Sequence, residues 1–410
     1  MIKNIKYFIK NTDNNMKTLY IFTAEYPYAT KENFLEDEVK YLSNSFDDIC
    51  FIPLSGEGTH MRTIPYNSRV ITDLQKGRKK KILLGLLNLY RVIPLYTKAF
   101  FSENVYKSCS KIKSWFGNMI ICSYYYQSSC IRNLIDGLNK DDVVYFYWGV
   151  VYNTLAPFMK GRAKLVSRFH GDWDLWNSLG EEGYKPMRKY LLDSLDAAVF
   201  ISKKGEMFFK NLYPSIKTYT FRLGSRDCGI TSSSTDGILR IVSCSTVYPL
   251  KRVPLIYESI KIIKDRNIEW THIGDGPNFG ELKEIAQDSP ANLQVNLLGN
   301  VSLDRVLDYY KNHKVDLFIN LSTNEGIPVS IMEAISFNIP VVATDVGGNS
   351  EIVTEKTGLL VNSNPTPQEV AKAILEVIEM KTLNPRAFWE DEFSAENNYR
   401  AFADFLSKEL

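Results

Sequence analysis

Short apolar runs alternate with helical patterns along almost the whole chain, and that alternation admits few folds. Apolar runs without a polar face, separated by helix-length crossovers, belong to parallel sheets covered by helices on both sides. In the first half the strands are predicted at Leu19–Thr23, Ile49–Pro53, Val143–Tyr147, Lys164–Phe169 and Ala197–Ile201. In the second half they are predicted at Leu239–Cys244, Trp270–Ile273, Gln294–Leu298, Leu317–Asn320, Pro340–Thr344 and Gly358–Val361. Helical periodicity falls between them, as at Asn33–Ser43, Lys185–Ser194, Val253–Asp265, Leu303–Asn312, Pro328–Phe337 and Gln368–Met380. A chain of 410 residues exceeds one ordinary core. The polar segment Ser225–Gly237, containing TSSSTDG, is the natural boundary. The expected organisation is α/β: doubly wound domains over residues 1–225 and 226–383, and a terminal helix over 384–410. That last segment carries Trp389, Phe393, Tyr399, Phe402 and Phe405 and is expected to pack back on the first domain.

Composition narrows the class. At 45% apolar and 23% charged the chain reads as a soluble globular protein. A net charge of +2 gives no global field toward nucleic acid, and none is expected as a partner. Cys50, Cys109, Cys122, Cys130, Cys228 and Cys244 form no CxxC pair and no zinc spacing, which suits a reducing compartment. The polar run Asn11–Asn15 interrupts the basic N-terminus and is too polar for a signal-peptide core, so residues 1–16 read as a loose leader. No run of roughly 20 apolar residues exists to span a bilayer, and a cytoplasmic location is expected.

Two doubly wound domains face each other across a cleft at the C-terminal ends of their strands, where open α/β sheets bind ligands. The segment NEGIPVSIMEAISFNIPVVATDVGGNSEIV, residues 324–353, supplies unusual residues there. Pro328 is expected at the first helical position, where its missing N–H costs nothing. The free N–H groups of that helix start form an anion site suited to a diphosphate. Gly326 permits close approach of a ligand to the backbone, and carboxylates at Glu325 and Glu333 suit a ribose diol or sugar hydroxyls. Asp345 and the Gly347–Gly348 turn arrive at the same rim. A capped helix with solvated acids would explain an isolated pair of glutamates, but not this whole string.

The segment resembles the Glu-x7-Glu signature of family 4 glycosyltransferases, retaining enzymes of the GT-B fold with two Rossmann-like domains. Lys251–Arg252 after a strand, THIGDGPN at 271–278, LLGN at 297–300 and GLLV at 358–361 follow the family's order. The resemblance implies that Glu333 binds the donor ribose, that Glu325 contacts the donor sugar, and that Gly326, Ile327 and Pro328 line the diphosphate through their backbone. It places Lys251 and Arg252 at the leaving diphosphate, where two cations would stabilise developing charge, and Gly274 in a loop near the nucleotide base. A plain turn accounts for the Gly274–Pro277 loop equally well. His170, followed by glycine at a strand end, matches the family's active-site histidine. The chain departs from the family at Thr246, which stands in place of an arginine, at Arg252, where glycine is common, and at Ala29–Thr30, where glycines are usual.

The implied donor is a UDP- or GDP-sugar, with no tightly bound cofactor and no metal; the Asp172–Trp173–Asp174 triplet is too short a match for a metal motif. Trp173 is a candidate acceptor platform, and Glu32, beside Glu36 and Glu38, a candidate acceptor-side acid, although acids at a helix start also serve its dipole. The segment 76–100 opens with five bases in six residues and continues with leucines. It reads either as a basic amphipathic helix on the inner face of a membrane or as a helix buried on one side. The activity implied is retaining transfer to a hydroxyl of a glycan or lipid-linked acceptor, in capsule, O-antigen or exopolysaccharide assembly. A sugar-nucleotide epimerase and a non-catalytic nucleotide-sugar-binding partner remain open alternatives.

Overall fold

The computed structural model describes residues 16–28, 32–56, 60–72, 74, 77–149, 152–171 and 184–410. Two parallel sheets organise them. The first contains β1 (Thr18–Thr23), β2 (Asp48–Pro53), β3 (Ser68–Val70), β4 (Val143–Phe146), β5 (Lys164–Phe169), β6 (Ala197–Phe200) and β7 (Thr218–Thr220), in the order β3-β2-β1-β4-β5-β6-β7. The second contains β8 (Ile238–Cys244), β9 (Asn267–Ile273), β10 (Leu293–Gly299), β11 (Leu317–Asn320), β12 (Val341–Thr344) and β13 (Gly358–Val361), in the order β10-β9-β8-β11-β12-β13. Every residue of β1, β4, β11 and β12 is buried, which is why these strands read as continuous apolar runs. Strand order reverses between β1 and β4 and between β8 and β11. Loops diverge at such points and leave a crevice at the C-terminal strand ends.

Differences from the expected elements have local causes. Strands β3 and β7 escape a search for apolar runs because each is a three-residue strand with no buried residue. The single helix expected over 76–100 is two helices, Arg78–Leu87 and Ile93–Ser102, joined by a 3-10 turn at Leu89–Arg91. Pro94 stands in the first turn of the second helix, where its ring is tolerated and from which the preceding helix cannot continue. The helix expected at Lys185–Ser194 is reduced to Arg188–Leu192, because Pro186 disfavours helix before it and Met187 is left-handed.

The last segment is two helices, Pro385–Glu392 and Ala395–Asp404, followed by a π-helical turn at Phe405–Glu409, and it serves both domains. Trp389 and Phe393 enter the core that holds Ile331 and Met332, whereas Phe402, Phe405 and Leu406 join Leu35 and Val39 in the first domain. The break between the helices meets the interdomain crossover. There Trp389 Nε1 donates to Ser225 Oγ at 2.8 Å and the Tyr399 hydroxyl to the Gly224 carbonyl at 3.0 Å. A Cβ on Gly224 would stand 2.5 Å from Ala395 Cα, so glycine is required by close approach. A second tie is Glu351 of the second domain, which accepts from the Lys203 and Lys204 amides at 2.9 and 2.7 Å. It thereby caps the helix Lys203–Leu212 of the first domain.

Candidate active site

The loop leaving β8 turns through the 3-10 segment Pro249–Lys251 and brings Lys251 Nζ to 2.5 Å from Glu325 Oε1, across the switch point from β11. Asn320 Nδ2, at the end of β11, donates to the same oxygen at 3.3 Å. Arg252 has a different occupation. Its backbone is left-handed at φ 48°, a conformation glycine adopts without cost. Its guanidinium donates to the carbonyls of Leu321 (2.5 Å), Ser322 (3.0 Å) and Ser363 (2.8 Å) and to Asn364 Oδ1 (3.3 Å). Arg252 therefore ties three loops of the rim together, and Lys251 is the cation paired with Glu325.

Gly326, Gly347 and Gly348 let backbone meet backbone at this rim. The Gly348 amide donates to the Gly326 carbonyl at 2.8 Å, and a Cβ on Gly347 would lie 1.8 Å from the Glu325 carbonyl oxygen. Ile327 is buried beside them and belongs to the same core as Ile201 of the first domain. Pro328 is the N-cap, one position earlier than expected, and no side chain among the described residues caps the helix Val329–Ser336. Its leading N–H groups, Val329 and Ser330, are thus uncapped by any side chain.

Glu333 lies one turn further on and is 8% exposed. Among the described residues no donor reaches its carboxylate. Burial pushes its pKa up to about 8, against a downward pull from Arg226 and a small upward push from Asp37. Glu333 lines a cavity of about 260 Å³ together with Val329 and Leu303, Arg226 of the crossover, and Phe34 and Asp37 of the first domain. Arg226 Nε meets both Asp37 oxygens at 2.7 Å and its Nη1 meets Asp304 at 3.3 Å, a bridge across the two domains.

On the opposing rim His170 follows β5. Its Nε2 lies 2.9 Å from the Tyr147 carbonyl, which can only accept, so Nε2 carries the proton. Desolvation among the rings of Phe34, Tyr147 and Trp148, aided by the charge of Arg168, lowers its pKa to about 3. The imidazole is neutral at any ordinary pH. A Cβ on Gly326 would stand 2.1 Å from the His170 carbonyl oxygen, so the two rims touch here. Gly326→Ala should destabilise the protein by about 1–3 kcal/mol through this overpacking. Urea denaturation measures it, and an unchanged midpoint would mean that the rims separate freely.

Glu32 lines the cavity, but its carboxylate is taken up by four donors: the amides of Ala24 (3.0 Å), Glu25 (2.9 Å) and Tyr26 (2.8 Å), and Trp148 Nε1 (2.6 Å). It fixes the loop after β1, which leaves it poorly placed to receive an acceptor hydroxyl. Glu36 faces Arg62 at 3.5 Å, and Glu38 forms a fully buried ion pair with Arg168. Gly274, at φ 141°, closes the loop after β9 onto the loop after β8, where a Cβ would meet the Ser245 carbonyl at 1.9 Å. His272 is buried beneath it, hydrogen-bonded to Ser243 Oγ at 2.8 Å. Trp173, Trp176, Asp172, Asp174, Ala29 and Thr30 lie outside the described residues. No motif marks Asn320, Asp37, Arg226 or Glu351 as site residues, and the partners of the last three come from distant elements.

Two doubly wound parallel sheets in succession, with strand order reversing between β1 and β4 and between β8 and β11, have the GT-B class of fold. Residues 234–391 match the family described as glycosyl transferases group 1. The chain is similar to the amylovoran biosynthesis glycosyltransferase AmsK of Erwinia amylovora, 26% identical over 182 residues, covering 42% of this chain and 45% of that protein. It spans less than half the length of the curated relatives it matches. Over 96% of its length it superposes on the apo form of the lipopolysaccharide outer core galactosyltransferase WaaB, covering all of that chain, with a TM-score of 0.65 and 13% identity. It also superposes on Anabaena Alr3699/HepE in complex with UDP, covering 96% of this chain and 100% of that one, with a TM-score of 0.61 and 14% identity.

Proposed function

We propose that this protein is a retaining family 4 glycosyltransferase that moves a sugar from a nucleoside diphosphate sugar to a hydroxyl of a growing glycan. The observation that carries the reading is Glu333, a carboxyl that no donor among the described residues reaches, lining a cavity on the helix that follows the loop of the Lys251–Glu325 pair. A carboxyl that opens onto a cavity is free to accept from a ligand, and a ribose diol would supply two hydroxyl donors. Lys251 would stabilise charge on the departing diphosphate, assisted by the leading amides of the helix Val329–Ser336. Gly326 and Pro328 would offer backbone to the diphosphate and Glu325 would orient the donor sugar. His170, neutral and held by its Nε2–H, would act as a fixed polar wall rather than an acid. In this reading the diphosphate itself takes the acceptor proton on the face it leaves, so the anomeric configuration is kept. Relatives in amylovoran and O-antigen biosynthesis support a polysaccharide acceptor.

Calorimetric titration of UDP, GDP and ADP into wild type and Glu333→Ala tests the donor site. UDP is the first choice, since the Anabaena structure carries it. One nucleotide should bind, and Glu333→Ala should weaken it by about tenfold or more; equal binding in the variant refutes the ribose assignment. The pH dependence follows from the raised pKa of Glu333. Protonation favours the ligand-free fold, so its full contribution is present below the ordinary value of 4.5 and is lost as pH rises toward about 8. Ribose hydroxyls favour the ionised carboxylate, so nucleotide binding between these limits should release a proton. An enthalpy of binding independent of buffer ionisation would contradict this.

A further inference from the structure

We propose that the surface formed by the helices Arg78–Leu87, Ile93–Ser102 and Cys109–Gln127 docks this protein on an anionic lipid bilayer. The inference stands whether or not the transferase reading is correct. Two independent features coincide there. Residues 78–121 carry nine bases and one acid, a net charge of +8 in a chain whose total is +2, so the remaining sequence is net negative. Among the described residues, eleven of the twenty-one exposed large apolar side chains also fall in this tenth of the chain. A solvated charged face would carry the bases without the leucines, and a buried helix would hide the leucines.

Packing fixes this exposure. At Gly85 the first helix crosses the third so closely that a Cβ would stand 2.4 Å from the Ile120 carbonyl oxygen, and Ser123 Oγ donates to the Gly85 carbonyl at 2.8 Å. Helical geometry puts Leu83 and Leu87 opposite Gly85, one turn apart, with Lys79 and Lys80 one turn before them. Leu83 and Leu87 are 56% and 65% exposed. They cannot rotate inward without separating the Gly85 crossing. Tyr90 and Phe101, both 64% exposed, extend the apolar crest with the rings favoured at an interface. Leucines and rings entering the headgroup boundary, with lysine stems reaching to lipid phosphates, are the pattern of an interfacial surface.

Charge selects the occupant. A second copy would bring the same positive face against this one, which is repulsive, whereas an anionic leaflet attracts it. No helix among the described residues is long and apolar enough to cross a membrane, so the contact is with the surface. The platform is tied to the active-site domain through Glu103, which accepts from the Tyr184 hydroxyl at 2.6 Å and the Met187 amide at 3.2 Å. An acceptor carried by lipid would then meet the domain that presents His170.

Flotation with vesicles of phosphatidylcholine alone, or containing phosphatidylglycerol, tests the proposal on the full chain. The protein should float with the phosphatidylglycerol vesicles, leave them as salt rises, and ignore phosphatidylcholine. Lys79→Gln with Lys80→Gln should weaken binding about 30-fold, from about 1 kcal/mol for each base. Leu83→Ser with Leu87→Ser should abolish it. All four side chains point outward, so circular dichroism and nucleotide binding should stay as in wild type. Equal binding to both vesicles, no binding, or retention of binding by the leucine variant would overturn the proposal. So would a wild-type dimer, seen by sedimentation, that the leucine variant dissolves, because a second copy would then be the occupant.

Discussion

Lys251→Ala should lower turnover by about 100- to 1000-fold while donor affinity falls by about tenfold or less. The asymmetry follows from when the charge is needed. Lys251 is satisfied by Glu325 at 2.5 Å, in a partly buried site where the two side chains are 19% and 11% exposed. A ground-state diphosphate is stabilised by several groups at once, including backbone amides at the helix start. Charge that builds on the leaving phosphate oxygen adds most to the interaction with a nearby point cation, so the loss appears mainly in the transition state. Steady-state kcat and KM, with nucleotide titration as the binding control, separate the two effects. Lys251→Arg keeps the charge but not the reach, and should recover only part of the activity. If Lys251→Ala turns over within a few-fold of wild type, Lys251 is a structural partner of Glu325 and nothing more.

Glu38→Gln should destabilise the fold by about 3–5 kcal/mol, because it leaves the guanidinium of Arg168 buried without its counter-charge. Both side chains are fully buried. The guanidinium lies 4.1 Å from the Phe402 ring of the terminal helix and near the rings of Tyr145 and Tyr147. Among the described residues its Nε and Nη2 have no hydrogen-bond partner, so Glu38 is its compensating group, with the Tyr145 hydroxyl donating to Glu38 at 3.1 Å. Replacing both partners, as in Glu38→Leu with Arg168→Met, should restore most of the loss. Urea denaturation of wild type, single and double variants measures the coupling. A single variant as stable as wild type would show that water reaches the pair. His170, two residues after Arg168, should remain neutral in the double variant, since desolvation is the larger cause of its low pKa.

How far these features were legible before folding differs from residue to residue. The strand Leu317–Asn320 and the helix Leu303–Asn312 were predicted with their observed ends, because an apolar run and an amphipathic period are local properties. The rim segment at Glu325–Glu333 was legible for the same reason: glycine, proline and two acids stand close enough in sequence to share one loop and one helix. Edge strands β3 and β7 left no such trace, since each is defined by a neighbour and not by its own apolarity. Glu32 and Arg252 show the other limit. Both look like available ligand-binding groups in the sequence, and both have their polar atoms occupied once the neighbouring loops arrive.

By itself, then, the sequence determined the parallel α/β class, most of the strands and the placement of acids and glycines on one rim, because hydrophobic period and turn chemistry act over a few residues. Tertiary structure alone decided which charges are paired and which remain open. Lys251 finds Glu325 across 74 residues, Arg168 finds Glu38 across 130 and Arg226 finds Asp37 across 189. A side chain's chemistry is set by the donors, acceptors and water around it, and these are supplied by elements that sequence proximity does not connect.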